Sequence, residues 1–195
     1  MQAGLREVKK FQNRQAIMVA AAKEFKTRGF ANTAVADIMR TARLGVGTFY
    51  NYFGSKEEVL MAIVVELFRR VDDSVKAERN LSSLKLLEHC GMSTARLIDE
   101  NRFILPLLAS AVEHSDKPEK IPKNLSPDFR KIFEEIIQRG QANGEIRADI
   151  PVDLISEMFH SIYQAAAFSK LAIPFQENIR LKIKILLDGI AVRKD

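Results

Sequence analysis

The chain has 195 residues, 47% apolar and 28% charged, with one cysteine and a net charge of +5. That length suits one domain, or a small domain joined to a larger one, and the composition excludes a chain too polar to fold. No apolar run reaches the ~18 residues of a membrane span, the basic amino terminus lacks the apolar stretch of a secretory signal, and the lone Cys90 excludes an internal disulfide and fits a reducing cytoplasm.

Apolar residues recur at helical spacing almost throughout. In "RQAIMVAAAKEFKTRGF", Ile17, Ala20, Ala21 and Phe25 share a face, and Gly29 ends the helix. Thr33 stands ahead of "AVADIMRTA", where it can N-cap a short second helix with Ala34, Ile38 and Ala42 facing inward. A third short helix covers roughly 46–53. The capping-box form of "SKEE", with Ser55 and Glu58 at its ends, opens a long helix. Its stripe is Val59, Ile63, Leu67, Val71 and Val75, and it closes near residue 78. Apolar segments follow at about 81–98 and 102–115, the second with Pro106 in its opening turns, and 115–124 reads as a loop. Ser126-Pro127-Asp128 restarts a helix with proline in its first position, and Asn143-Gly144 ends it. Two helices remain, about 152–172 and 176–192. No strand alternation or repeat intervenes, so the expectation is an all-α fold of about nine helices.

Charge is placed unevenly. Residues 1–56 hold ten Lys/Arg and three acids, a balance of +7, while the other 139 residues hold 20 basic and 22 acidic groups, a balance of −2. One end is therefore suited to a polyanion. Within it, "TAVADIMRTARLGVGTFYNYFGSK" (33–56) sets two short helices about a tight turn, the form of a helix-turn-helix whose second helix reads a DNA major groove. Phe49 and Phe53, four apart, can join Ile38, Ala42 and Leu44 in a small core. Thr48 and Tyr52 fall on another face, with Gly47 and Asn51 alongside. Tyrosine offers an apolar body and a hydroxyl tip that can reach phosphate. Gly47 removes a side chain where DNA approaches. Thr33 can offer hydroxyl and amide to a phosphate, and Lys56 supplies a point charge. Arg6, Lys9 and Lys10 are either a flexible arm on DNA or an untethered tail.

These residues closely resemble the TetR family of bacterial transcriptional regulators. The likeness runs from Arg14 through "RQAIMVAAAKEF", "RGF", "TAVADI", "GTFYNYF" and "SKEEVL" to Leu60; beyond it only the helix number, "ANGEIRADI" and the total length match. The resemblance implies base contacts from Gly45, Val46, Tyr50 and Asn51. It also exposes two departures, because the family's usual "AGVS" turn reads Ala42-Arg43-Leu44-Gly45 here. Arg43 in place of a turn glycine costs up to ~1 kcal/mol if its φ is positive, and Gly45 in place of a serine cap loses a few tenths. With no strong donor at 45 or 46, Arg43 becomes a candidate base reader.

A helix-turn-helix of this kind binds as a dimer, with half-sites ~34–36 Å apart. The resemblance divides the chain into a DNA-binding domain at 1–55 and a helical ligand-binding and dimerisation domain at 56–195. It also implies that the last two helices form a bundle with a second copy, through Ile162, Ala165, Ala166, Ile183, Leu187 and Ile190. The middle helices would enclose a mostly apolar or amphipathic effector, with Phe68, Met92, Phe103, His114, Phe133, Met158 and Tyr163 as candidate walls. The expected partners are thus an operator duplex, a small effector and a second copy, with no cofactor and no membrane; repression is the family's common mode.

An enzyme is the first rival. His89 and Cys90 are neighbours on a helix and do not face each other, and neither HExxH nor CxxC spacing occurs. The second rival is a DNA-binding protein of the same fold without a small-molecule signal, acting in chromosome organisation or through a protein partner.

Overall fold

A computed structural model describes residues 2–105 and 129–192. The loop expected at 115–124, Pro106, His114 and the restart at 126–128 lie outside the described residues. Within them are eight α-helices, a 3-10 turn at Arg102–Ile104 and no strand. The helices are α1 (Gln2–Arg28), α2 (Val35–Ala42), α3 (Val46–Phe49), α4 (Lys56–Ala77), α5 (Ser83–Glu100), α6 (Phe129–Ala142), α7 (Val152–Ala167) and α8 (Phe175–Ile190). They fall into two compact units, one from the amino terminus to Glu66 and one from Leu67 onward, with the division inside α4.

The first unit is the smaller. Ile17, Ala20, Ala21 and Phe25 of α1 are buried, as are Ile38 and Met39 of α2 and Phe49 and Phe53 around α3. Gly29 stops α1 with φ +77, a conformation that costs glycine nothing. Ser55 caps α4 by accepting the Glu58 amide at 3.2 Å, and the Glu58 carboxylate reaches back to the amide of Gly54 at 2.7 Å. The reciprocal cap is therefore present, displaced by one residue from the pattern of "SKEE".

In the second unit α5 packs on α6 and α8, and α7 packs on α6 and α8. The "ANGEIRADI" segment does more than connect. Arg147 donates its amide to Ile190 and Val192 donates to Glu145, an isolated antiparallel bridge that ties the end of α8 to the exit of α6. Arg139 holds the α4–α5 connection from the other side, its guanidinium donating to the carbonyls of Arg79 and Leu81 and to the Ser83 hydroxyl. Gly140 is required here, since a Cβ would stand 2.5 Å from Ile146 Cδ1 and 2.8 Å from Ser83 Cβ.

Phe133 stacks on Phe159 with ring centres 4.8 Å apart, and Tyr163 donates its buried hydroxyl to the carbonyl of Gly91 at 3.1 Å. Burial holds that phenol well above its ordinary pKa and pushes the Cys90 thiol up to about 12, so Cys90 is an inert core residue. Its neighbour His89 turns to Ser74 instead. Among the described residues no helix is long and apolar enough to cross a membrane.

Candidate nucleic-acid interface

The turn between α2 and α3 sets the reading head. Arg43 ends α2 at φ 57, ψ 39, left-handed backbone in a residue that carries a Cβ. The turn is closed by Leu44 donating to Met39 and by Arg43 donating to Arg40. Gly45 then takes the N-cap position of α3 in extended geometry. Its own Cβ would meet only Thr48 Oγ1, at 3.8 Å, so glycine is not required there. Phe49 and Phe53 anchor the segment from below with rings 6.0 Å apart, and the Arg14 guanidinium lies 5.0 Å over the Phe53 ring. Such a cation over an aromatic face adds about 0.5–1 kcal/mol where exposed.

Above these rings the surface opens to solvent. Gly45, Val46, Gly47, Tyr50 and Asn51 are exposed, Val46 by 48% and Tyr50 by 65%. Thr48 and Tyr52 are half-buried. A Cβ on Gly47 would meet nothing within 4 Å, so a duplex backbone has room to approach. Asn13 of α1 donates its side-chain amide to the Tyr52 hydroxyl at 3.1 Å. That bond orients the hydroxyl and leaves its own proton to give away. Asn13 and Arg14 were not read as site residues from sequence; their place four and three residues ahead of buried Ile17, on the same turn of helix, was the available signal.

Two expected phosphate contacts do not stand as such. Thr33 is 2% exposed; its hydroxyl donates to Gly29 at 2.8 Å and its amide to Phe30 at 3.3 Å. The N-cap of α2 is Ala34. Thr33 therefore closes the turn after α1 and has no donor left for a ligand. Lys56 is corrected on similar grounds. Its ammonium reaches the carbonyls of Phe30, Ala31 and Thr33 at 2.9, 3.3 and 3.1 Å and lies 4.6 Å from the centre of the Phe30 ring. An ammonium has three donors, and all three are engaged inside the head.

The start of α2 is held by charge. The Asp37 carboxylate accepts the Ala34 amide at 3.3 Å and pairs with Arg40 at 2.5 Å and Arg28 at 3.4 Å. The Ala34 amide first, then Arg40, hold its pKa below the ordinary carboxylate value. Glu24 in turn pairs with Arg28 and accepts the Thr41 hydroxyl. Two of the three acids in this basic segment are thus paired internally, each with arginine of the same segment, which leaves its net balance unchanged.

In the second unit Phe68, Phe133 and Tyr163 are buried, and Met92 and Phe103 are half-buried. Met158 is 47% exposed and points out of the unit, so it does not belong with those walls. Four residues named for dimerisation, Ile162, Ala166, Ile183 and Ile190, are buried within this chain alone, and Leu187 is half-buried. They are core, facing α5 and one another, and only Ala165 of the six is exposed. The outward face consists of Leu154, Met158, Ala165 and Phe168 at the exposed side of α7 and Leu181 and Ile185 on α8, with Ile185 73% exposed. No group of His, Cys, Asp or Glu among the described residues could hold a metal ion.

Residues 17–63 match the model of the tetR family of bacterial regulatory proteins. Among curated relatives, the transcriptional repressor KstR2 of Rhodococcus jostii is 28% identical over 147 residues, 72% of this chain and 71% of that protein. The repressor DhaR of a Mycobacterium species is 26% identical over 159 residues, covering 78% and 79%. Of solved structures, the Thermus thermophilus TetR-family repressor FadR, in complex with lauroyl-CoA, superposes with TM-score 0.67 at 21% identity over 93% of this chain and 97% of that one. Bacillus subtilis FadR with stearoyl-CoA gives 0.67 at 17% identity over 90% and 98%. At such identities the two structures speak for the fold.

The Lys56 geometry has a direct test. Lys56→Met removes a charged partner from three carbonyls and should lower the stability of the protein by about 1–3 kcal/mol in thermal melts. DNA affinity should fall with it, while the slope of log affinity against log salt stays constant. An unchanged melt with a slope shallower by about one would return Lys56 to a phosphate.

Proposed function

Because the chain is a TetR-family regulator of transcription, we propose that it acts as a ligand-responsive repressor. It holds a palindromic operator as a dimer and is released by a small, mostly apolar or amphipathic effector. The observation that carries this reading is the exposed run of Gly45, Val46 and Gly47 with Tyr50 and Asn51, held over the buried rings of Phe49 and Phe53. Residues 1–55 serve as the DNA-binding domain and 56–195 as the ligand-binding and dimerisation domain. Thr48 and Tyr52 take phosphate oxygens, and Asn51, Tyr50 and Val46 meet base edges. Gly45 lets the backbone approach closely, and Arg43, exposed at the turn, adds a guanidinium that can bond a guanine with two hydrogen bonds.

The second copy sits on the outward face of α7 and α8. Leu154, Met158, Ala165 and Phe168 fall on one side of α7, and Leu181 and Ile185 on one side of α8. An apolar face on two adjacent helices is completed by the same two helices of a partner, giving a four-helix bundle with two-fold symmetry. That symmetry matches the two half-sites of a palindrome.

Effector class is drawn from the buried aromatic character of Phe68, Phe133 and Tyr163 and from the acyl-CoA ligands of the two FadR structures. α4 runs from Lys56 to Ala77 without glycine or proline, and the division between the two units falls within it. A ligand that favours the DNA-incompetent state weakens operator binding by the same factor that the operator weakens its own.

Three measurements test these assignments. Selection of bound fragments from random duplexes should return a palindrome, and Arg43→Gly should keep or raise the melting temperature, because left-handed backbone costs a single non-glycine residue up to ~1 kcal/mol, while relaxing preference at one position per half-site. A uniform loss of affinity for all duplexes would make Arg43 a phosphate contact instead. Ile185→Glu, at an exposed position, should leave the melt of the subunit intact, convert dimer to monomer in sedimentation, and lower operator affinity at least ~10-fold through lost bivalency; a persisting dimer removes this face. Lauroyl-CoA and stearoyl-CoA, titrated against a labelled operator, should weaken it ~100-fold, which needs ~2.7 kcal/mol of differential affinity. Binding of either without any change in DNA affinity defeats the switch.

A further inference from the structure

α1 begins at Gln2 and runs unbroken for 27 residues, while the match to the family model begins only at residue 17. Its first fifteen residues form a rod about 22 Å long, at about 1.5 Å per residue. Three cations, Arg6, Lys9 and Lys10, lie on this rod, and all three are exposed.

Their placement follows from helical periodicity. At about 100° per residue, Arg6, Lys9, Lys10 and Asn13 occupy the same sector of α1 as Ile17, Ala20, Ala21 and Glu24 further along. In the later turns that sector is the buried one: Ile17, Ala20, Ala21 and Glu24 are all at most 8% exposed. In the earlier turns the same sector carries cations and stands in solvent. The change occurs at Asn13, where the side-chain amide donates to the Tyr52 hydroxyl. The face of α1 that packs on the head therefore continues past the edge of the head, beside Tyr52, as a row of positive charge. Glu7 lies off this row, about 110° from its middle and in line with Phe25, and Val8 and Phe11 lie on the opposite side, exposed by 54% and 63%.

We propose that Arg6, Lys9 and Lys10 form a second DNA-backbone contact, engaging phosphates of the duplex flanking the bases that the α3 segment reads. The assignment rests on the DNA-binding reading given above. Two features select a duplex as the occupant: a polyanion matches the row in charge, and the row is continuous, through the Asn13–Tyr52 bond, with a residue already assigned to phosphate. The row adds affinity without sequence preference, because phosphates carry no base identity. It also lengthens the footprint, since a helix of this reach passes beyond the groove segment that a short reading helix covers.

The test compares the full-length protein with the R6A/K9A/K10A variant, in which alanine preserves helix propensity. Dissociation constants are measured between 50 and 300 mM salt on the duplex selected by the unaltered protein and on a random duplex. The variant should lose affinity for both by a similar factor, at least ~10-fold at the lowest salt, and its slope of log affinity against log salt should be shallower by up to about 2.7, ~0.9 for each phosphate released. Its far-ultraviolet spectrum and melt should match those of the unaltered protein. Trimming the duplex flanks to the selected half-sites should weaken the unaltered protein and leave the variant indifferent. An equal slope in the two proteins, or equal sensitivity to trimming, overturns the proposal. Failure of the unaltered protein to bind any duplex would instead defeat the DNA-binding reading itself, a result distinguishable because it appears before the variant is compared.

Discussion

The ammonium of Lys56 gathers the carbonyls of Phe30, Ala31 and Thr33 while resting on the Phe30 ring. The turn it closes joins α1 to α2, and it does so from the first residue of α4. The turn after α1 and the start of α4 are thereby fixed to each other by one side chain. The arrangement suits lysine: a compact charge with three rotatable donors can satisfy carbonyls converging from different directions. The carbonyls at the end of α1 carry the negative end of its dipole, which adds to the attraction. Any displacement of the start of α4 must move these carbonyls or break the bonds to them.

The other braces of the head share a pattern in which acids serve internally and bases face outward. Asp37 and Glu24 are each paired with arginine at the α1–α2 junction. Each pair has one well-exposed partner, and exposed pairs contribute little to stability on their own. Each brace holds a carboxylate beside an arginine of the same segment, so neither acid stands alone as a charge repelling a duplex. Asp37 also secures the first amide of α2, so the same carboxylate starts a helix and pairs with arginine.

Local rules explain why parts of this architecture were readable in the chain. Phe49 and Phe53 as anchors, the Ser55 cap with Glu58, and the glycine stops at 29 and 144 all depend on near neighbours, and sequence spacing encodes near neighbours. The positive φ at Arg43 was legible for the same reason, as a residue standing where a turn wants glycine. Lys56 and Thr33 were misread because a free phosphate donor and a buried clasp have the same local sequence. The difference lies in Phe30 and Gly29, more than twenty residues from Lys56 in the first case and hidden behind a turn in the second. On α7 the difficulty was of another kind. Leu154, Ile155, Met158, Phe159, Ile162, Tyr163 and Ala165 cover about half the circumference of the helix, and periodicity cannot say which edge of so broad a stripe turns inward. Only packing against α6 and α8 separates Ile155, Phe159 and Ile162, which turn inward, from Leu154, Met158 and Ala165, which do not.

The head also shows how a weak reading surface can belong to a selective protein. Gly45, Val46 and Gly47 present no strong hydrogen-bond donor beyond the backbone, so few base-specific bonds are available per half-site. Affinity for a single half-site would then come chiefly from phosphates, and phosphate contacts distinguish poorly between sequences. Pairing two heads changes this balance. Each base preference counts twice, and a mismatched spacing forfeits one head entirely, so in the proposed dimer the spacing of the heads becomes part of the specificity. On the proposed reading, a cationic row on α1 adds affinity at every site alike and leaves the ratio between sites to the few donors of the turn. If Arg43 reads a base as proposed, its left-handed backbone is a functional choice: glycine there would relax the turn and remove the guanidinium together.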